Sequence, residues 1–103
     1  MTLPEISVGL CGPGRHEIPQ VEEYIFEGQI DNPLDFATHE RVALDFFRMA
    51  VEKDIQFVDL YVTGLTPVLT ALLKVWFETP AWGIGLTLYH FNRDTGEYVA
   101  QVM

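Results

Sequence analysis

Asp59-Leu-Tyr-Val-Thr-Gly-Leu-Thr-Pro-Val-Leu-Thr-Ala-Leu-Leu-Lys-Val-Trp-Phe77 is the stretch that decides the fold. It reads as a buried strand, a tight turn and the start of a buried helix. Leu60, Tyr61 and Val62 form a short apolar, β-rich run, and Gly64 breaks the extended pattern where the chain must turn. Thr66 and Pro67 then give a helix start, with the Thr66 hydroxyl expected as N-cap and the proline at the first helical position, where a missing N–H costs nothing. A strand passing through a glycine turn into a helix offers free N–H groups and a positive dipole end. Its natural guest is an anion.

Working outward, Glu5 to Cys11 is a β-branched and apolar run that leads into the Cys11-Gly12-Pro13-Gly14 loop. Val21 to Glu27 is open to two readings, because Pro19 suits a helix start while Tyr24, Ile25 and Phe26 favour a strand. The strand is preferred, paired as a hairpin with the first. From Asp35 to Lys53, Phe36, Val42, Ala43, Phe46, Phe47, Ala50 and Val51 recur at helical spacing opposite Glu40, Arg41, Asp45, Arg48 and Glu52. That is an amphipathic helix, with Asp35 placed to cap it and His39 expected at its surface. A strand from Gln56 to Thr63 follows, then a helix from Pro67 to Glu78 that is apolar on nearly every face. Such a helix needs cover on two sides, and in a small domain a second subunit is the expected source. Ile84 to Phe91 and Glu97 to Val102 are strands joined by the turn Asn92-Arg93-Asp94-Thr95-Gly96. The predicted architecture is one small α/β, Rossmann-like domain in two or three layers, mainly a parallel sheet with an antiparallel C-terminal hairpin.

Composition narrows the partners. The 103 residues carry 15 acidic and 6 basic side chains, a net charge of −9, and are 49% apolar. The apolar share suffices for one core, and scattered Lys and Arg argue against a duplex nucleic-acid binder, which needs clustered cations. A small anion held by backbone N–H groups is compatible with that charge. Cys11 is the single cysteine, so no intrachain disulfide forms; the first residues lack the basic and long apolar segments of a secretory signal, and the cytoplasm is the expected location. No apolar run reaches the roughly 18 residues that span a bilayer.

In open α/β sheets ligands bind beyond the carboxyl ends of the parallel strands. Three loops are expected there: Cys11 to His16, Thr63 to Thr66, and His90 to Arg93. They would gather Gly12, Gly14, Thr63, Gly64, Leu65, Thr66, Asn92 and Arg93 for ligand contact, with His16, His90 and Arg15 as candidates for proton transfer and phosphate stabilisation. Each also has a structural reading. Gly12 and Gly14 can merely shape a loop, Thr63 to Thr66 can be turn and cap, His90 can point across the sheet, and Arg93 can be a solvated turn residue. Cys11 can be a small core residue. No spacing suggests a metal or a cofactor.

Two family resemblances bear on the site. Cys11, a glycine loop and Arg15 resemble the phosphate loops of Cys-dependent phosphatases and rhodaneses, but only three residues separate Cys11 from Arg15, and both families use longer loops. Tyr61-Val62-Thr63-Gly64-Leu65-Thr66-Pro67 running into an apolar helix resembles the strand, Thr/Ser-Gly-Gly-Thr turn and helix of the CRISPR-associated Rossmann fold, with Leu65 in place of the second glycine. The resemblance covers about fifteen residues. It implies binding of a cyclic oligoadenylate at a homodimer seam, phosphate contacts at Thr63, Gly64 and Thr66, and, as in small ring nucleases, metal-independent phosphodiester cleavage. The alternative is a non-enzymatic interaction module that dimerises through its apolar second helix.

Overall fold

The computed structural model describes residues 4–12, 18–21, 23–28 and 30–103. Five strands, β1 (Glu5–Gly12), β2 (Tyr24–Glu27), β3 (Phe57–Tyr61), β4 (Gly85–Asn92) and β5 (Glu97–Val102), form one sheet in the order β2-β1-β3-β4-β5. Two helices, α1 (Phe36–Glu52) and α2 (Thr66–Glu78), connect β2 to β3 and β3 to β4, and a 3₁₀ turn, Pro80–Trp82, follows α2. All pairings are parallel except β4 with β5. The expected hairpin between β1 and β2 is therefore corrected: Gly9 pairs with Tyr24 and Cys11 with Phe26 in parallel. Parallel strands need a long crossover, and the ten or so residues between β1 and β2 supply it where a short turn would have forced the antiparallel pair.

Strand alternation divides the sheet into two faces. Val8 and Leu10 of β1, Val58 and Leu60 of β3, and Leu86 and Leu88 of β4 are buried in one core with Ala43, Phe47 and Ala50 of α1 and Val68, Leu72 and Val75 of α2. Each large side chain buried there contributes about 1.5–3 kcal/mol. Both helices thus share one face and pack against each other, joined at the rim by a Lys74–Glu40 ion pair at 2.9 Å. The other face carries Ser7, Asp59 and Thr87 in one register row and Gly9, Tyr61 and Tyr89 in the next. Ile18 and Val21, from the described part of the β1–β2 crossover, are buried against Tyr61 on this second face. The architecture is two layers of secondary structure, with no third helical layer among the described residues.

Helix α1 begins and ends for local reasons. The Asp35 carboxylate accepts from the Thr38 N–H at 3.3 Å and the Thr38 hydroxyl at 2.8 Å, as an N-cap should. At the other end Asp54 takes a left-handed conformation, φ 57°, while its N–H donates to Val51 O and the Ile55 N–H to Ala50 O. This is a Schellman closure with aspartate in the usual glycine position. His39 is corrected from surface to core: it is 3% exposed, packs edge-on to Phe26 at 5.9 Å, and its Nε2 lies 2.9 Å from the Pro33 carbonyl oxygen. It falls on the stripe His39, Ala43, Phe47, Ala50 that faces the sheet. A buried imidazole needs such a partner, and Pro33 O provides it.

Candidate functional site

The strand order places a reversal at the centre of the sheet. From β1 the chain moves outward to β2, whereas from β3 it moves the opposite way to β4, so the connections leaving the carboxyl ends of β1 and β3 diverge. A crevice at such a switch point is the usual ligand position in open α/β sheets. Two of the three expected loops meet there. Thr63 Oγ1 accepts from the Cys11 N–H at 3.1 Å and donates to the Cys11 carbonyl at 2.6 Å, bridging the two strand ends beyond their last paired rung. Gly64 follows at φ 82°, and a β-carbon there would stand 2.8 Å from Cys11 Cβ and 3.0 Å from its Sγ. Only glycine satisfies both the left-handed backbone and the close approach.

The consequence for ligand contact is mixed. The Thr63 hydroxyl is spent on the Cys11 backbone. Leu65, not Thr66, is the N-cap of α2, with extended φ −90°, ψ 134° and no side-chain cap; Thr66 is the first helical residue. This corrects the expected Thr66 cap, because the Leu65 carbonyl already accepts the Val68 and Leu69 N–H groups at 3.2 and 3.3 Å. Pro67 has no N–H. Around the turn that leaves the N–H groups of Gly64, Leu65 and Thr66 and the exposed Thr66 hydroxyl for a guest.

Burial pushes the Cys11 thiol above its ordinary range, and the approach of the Leu65 backbone only partly opposes that. The thiol stays protonated at neutral pH, which does not suit a nucleophile. Gly12 lies under the Tyr24 ring, where a β-carbon would come within 2.6 Å, and its carbonyl accepts from Gly28 N–H. Its glycine is explained by packing. Gly14, Arg15 and His16 lie outside the described residues.

The third loop bonds within its own hairpin. His90 shares the helix-side parity of Leu86 and Leu88, and its Nε2 lies 2.8 Å from Gln101 Oε1 on β5. Asn92 Oδ1 accepts the Asp94 N–H and its carbonyl accepts from Gly96, which closes the turn at φ 73°; Arg93 is exposed at the tip. No three His, Cys, Asp or Glu side chains cluster as a metal site among the described residues.

A feature absent from the sequence reading lies beside the crevice. On the face away from the helices, Tyr61 and Tyr89 are paired in register and stack at 4.7 Å with their planes 10° apart. Tyr98, one rung further along on β5, meets Tyr61 edge-on at 4.9 Å and Phe91 at 5.4 Å. With Pro19, Gln20 and Glu97 these rings line an open cleft of about 600 Å³. Burial raises the Tyr61 and Tyr98 phenols above their ordinary range, so both remain neutral donors. Strand parity marks Tyr61, Tyr89 and Phe91 as facing one way, but their assembly with Tyr98 requires the β3–β4–β5 register.

Comparison with protein-family models, curated proteins and solved structures finds no match to this chain. Among the described residues no helix is long and apolar enough to cross a membrane.

Proposed function

We propose that this Rossmann-like domain binds a nucleotide or a small cyclic oligonucleotide at the carboxyl edge of its sheet, with a phosphate against the Gly64–Thr66 turn. The observation that carries the reading is the divergence of the chain between β1 and β3, at the point where Thr63 pins the start of α2 onto Cys11. That arrangement presents the Gly64 and Thr66 N–H groups, the Thr66 hydroxyl and the positive end of a 13-residue helix on an otherwise acidic protein. The Leu65 side chain, 39% exposed, would border the phosphate as an apolar neighbour. The resemblance to the CRISPR-associated Rossmann fold makes cyclic oligoadenylates the first ligands to try, with the cytoplasm as the setting.

The proposal is one of binding. His90 is bonded to Gln101 on the helix side of the hairpin, so ring cleavage of the ring-nuclease kind would fall to Arg15 and His16. The test is calorimetric titration with mononucleotides and cyclic oligoadenylates, using Thr66→Glu as the control. A carboxylate in the first turn favours the helix dipole by about 0.3–1 kcal/mol while repelling a phosphate. The expected result is an unchanged or raised melting temperature with binding lost. Equal affinity in the wild type and Thr66→Glu would refute a phosphate at this turn.

A second reading has its own observation. Helix α2 buries Val68, Ala71, Leu72 and Val75 but leaves Phe77 78% exposed beside Leu73, Trp76 and Met103. An apolar ridge of that kind suits a protein partner, a second copy first of all. Light scattering of the wild type and Phe77→Lys tests it: a dimer that the variant disperses supports the reading, and a monomer in both rejects it.

A further inference from the structure

β5 ends the sheet, and no described strand pairs with its outer side. Its register with β4 runs without a bulge from the Asn92–Glu97 pair to the Thr87–Val102 pair, and continues into a bond from the Met103 N–H to the Leu86 carbonyl at 3.0 Å. Hydrogen-bonded pairs alternate along an antiparallel ladder, so this bond sets the phase. Glu97, Val99, Gln101 and Met103 turn their backbone groups toward β4, whereas Tyr98, Ala100 and Val102 turn theirs away. The N–H and C=O of each of those last three residues line a free edge. Natural edge strands are guarded by charge, proline, a bulge or shortness. The opposite edge of this sheet is guarded in that way: β2 has 4 residues, ends in Glu27 and is preceded by Glu23. β5 is not. It has 6 residues, and from Tyr98 to Met103 it carries no charged side chain and no proline in a chain of net charge −9. Val99, Val102 and Met103 are 53%, 80% and 46% exposed along it.

We infer that the β5 edge pairs with β5 of a second copy of this chain, antiparallel about a two-fold axis, and joins two sheets into one. The occupant is an extended strand, because what the edge lacks is the other half of a ladder. Self-pairing supplies it in one register. With Ala100 opposite itself, Tyr98 lies opposite the second copy's Val102 and Val102 opposite its Tyr98, so every outward N–H and C=O is matched. Sliding the partner by two residues either way leaves Tyr98 or Val102 without a strand partner. The same register sets an aromatic ring beside a β-branched side chain on the open face, a favourable cross-strand pair. On the helix side it sets Val99 opposite Gln101 and Glu97 opposite Met103, so no side-chain carboxylate meets another. Two copies that each carry −9 can meet only along such a neutral stretch. Access is open as well: Val99, Gln101 and Met103 are all exposed, so neither helix overhangs the strand. A contact of this isologous kind closes at two copies, and the joined sheet ends at its guarded β2 edges. The surface is separate from the Phe77 ridge of α2, and the inference rests neither on that reading nor on the nucleotide one.

The test follows the mass of the full chain by light scattering and its edge amides by hydrogen exchange. Ala100 is exposed and would sit on the two-fold axis. Ala100→Pro removes an N–H that the β4–β5 ladder does not use, so the fold keeps its own hydrogen bonds while the dimer loses its central pair. Ala100→Lys and Ala100→Glu each set like charges face to face, and an equimolar mixture of the two sets opposite charges there. The expected result is a wild-type dimer at sub-millimolar concentration, with the Tyr98, Ala100 and Val102 amides more protected as concentration rises. Ala100→Pro should weaken that dimer about tenfold or more. The Lys and Glu variants should each be monomeric alone and should associate when mixed. Association on mixing requires folded partners, so it upholds the inference even if Ala100→Pro fails to fold. A wild type that stays monomeric with unprotected edge amides overturns it and leaves the edge to a strand from another protein. A dimer that Ala100→Lys and Ala100→Glu leave intact also overturns it, and one that Phe77→Lys alone disperses does so in favour of the α2 ridge.

Discussion

Substituting Gly64 by alanine tests the junction on which the crevice depends. The backbone there has φ 82°, and a left-handed conformation costs an L-residue about 1–2 kcal/mol. The new methyl would also stand 2.8 Å from Cys11 Cβ and 3.0 Å from Sγ, and both belong to a strand held by the Thr63 bridge and cannot swing aside. Overpacking of that kind costs about 1–3 kcal/mol. The stiffer unfolded chain returns about 0.4–1 kcal/mol. The net expectation is a loss of about 2–4 kcal/mol, a drop of about 1–2 M in the urea midpoint for a domain of this size. Two companions separate the causes. Gly64→Asn tolerates the left-handed backbone better but keeps the contact, and Cys11→Gly removes the contact but keeps the backbone. In a double-mutant cycle the Gly64→Ala penalty should shrink by about 1–3 kcal/mol on a Cys11→Gly background. A Gly64→Ala protein within about 0.5 kcal/mol of wild type, on the scale of ordinary surface substitutions, would refute the reasoning; a penalty unchanged by Cys11→Gly would refute the contact. The size of the loss also means that Gly64 substitutions are poor tests of ligand binding.

Two further outcomes follow from titration. Asp59 lies on the face away from the helices, where burial and then the nearby Glu5 raise its carboxyl above the ordinary range. A carboxyl with a raised folded pKa withholds stability once it ionises, so Asp59→Asn should stabilise the protein at neutral pH, and the gain should vanish as pH falls below the ordinary aspartate value of 3.8, as thermal melts across pH would record. Asp35 behaves oppositely. Its hydrogen bonds to the Thr38 hydroxyl and N–H lower its pKa, so its support of α1 is present above 3.8 and is lost as pH drops through the lowered value. Asp35→Ala should melt lower than wild type at pH 6, Asp35→Asn should restore much of the difference because asparagine also caps, and the gap should close in strong acid.

Much of the fold was legible because its elements carry strong local signals. Phe36 to Glu52 alternates at helical period behind a capping aspartate, and the β4–β5 hairpin announces itself through Asn92 to Gly96. The β1–β2 pairing was not legible, since a four-residue strand has the same alternation in either direction and direction is decided by where the crossover packs. Here Ile18 and Val21 settle on Tyr61, across the sheet from the helices. His39 was misplaced for a related reason. Its neighbours in sequence are polar, and only the helical phase set by Ala43, Phe47 and Ala50 turns it inward onto Pro33 O and Phe26.

The candidate site divides along the same line between local and register-dependent information. The Thr63–Thr66 turn is written contiguously, and its position at the carboxyl edge could be read from sequence. What it does there could not, because the Thr63 hydroxyl is spent on the Cys11 backbone, 52 residues away. The tyrosine cleft is the inverse case. Tyr61, Tyr89 and Tyr98 are 28 and 9 residues apart along the chain, arithmetic that hides them from any motif. The β3–β4 and β4–β5 registers then place Tyr61 opposite Tyr89 and Tyr98 opposite Phe91. Each ring alone is an ordinary strand residue, Tyr61 buried, Tyr89 and Tyr98 half-buried and Phe91 exposed. Together they form, with Ile18 and Val21, a second apolar cluster on the sheet face that no described helix covers, and only the strand register, not any stretch of sequence, brings its members together.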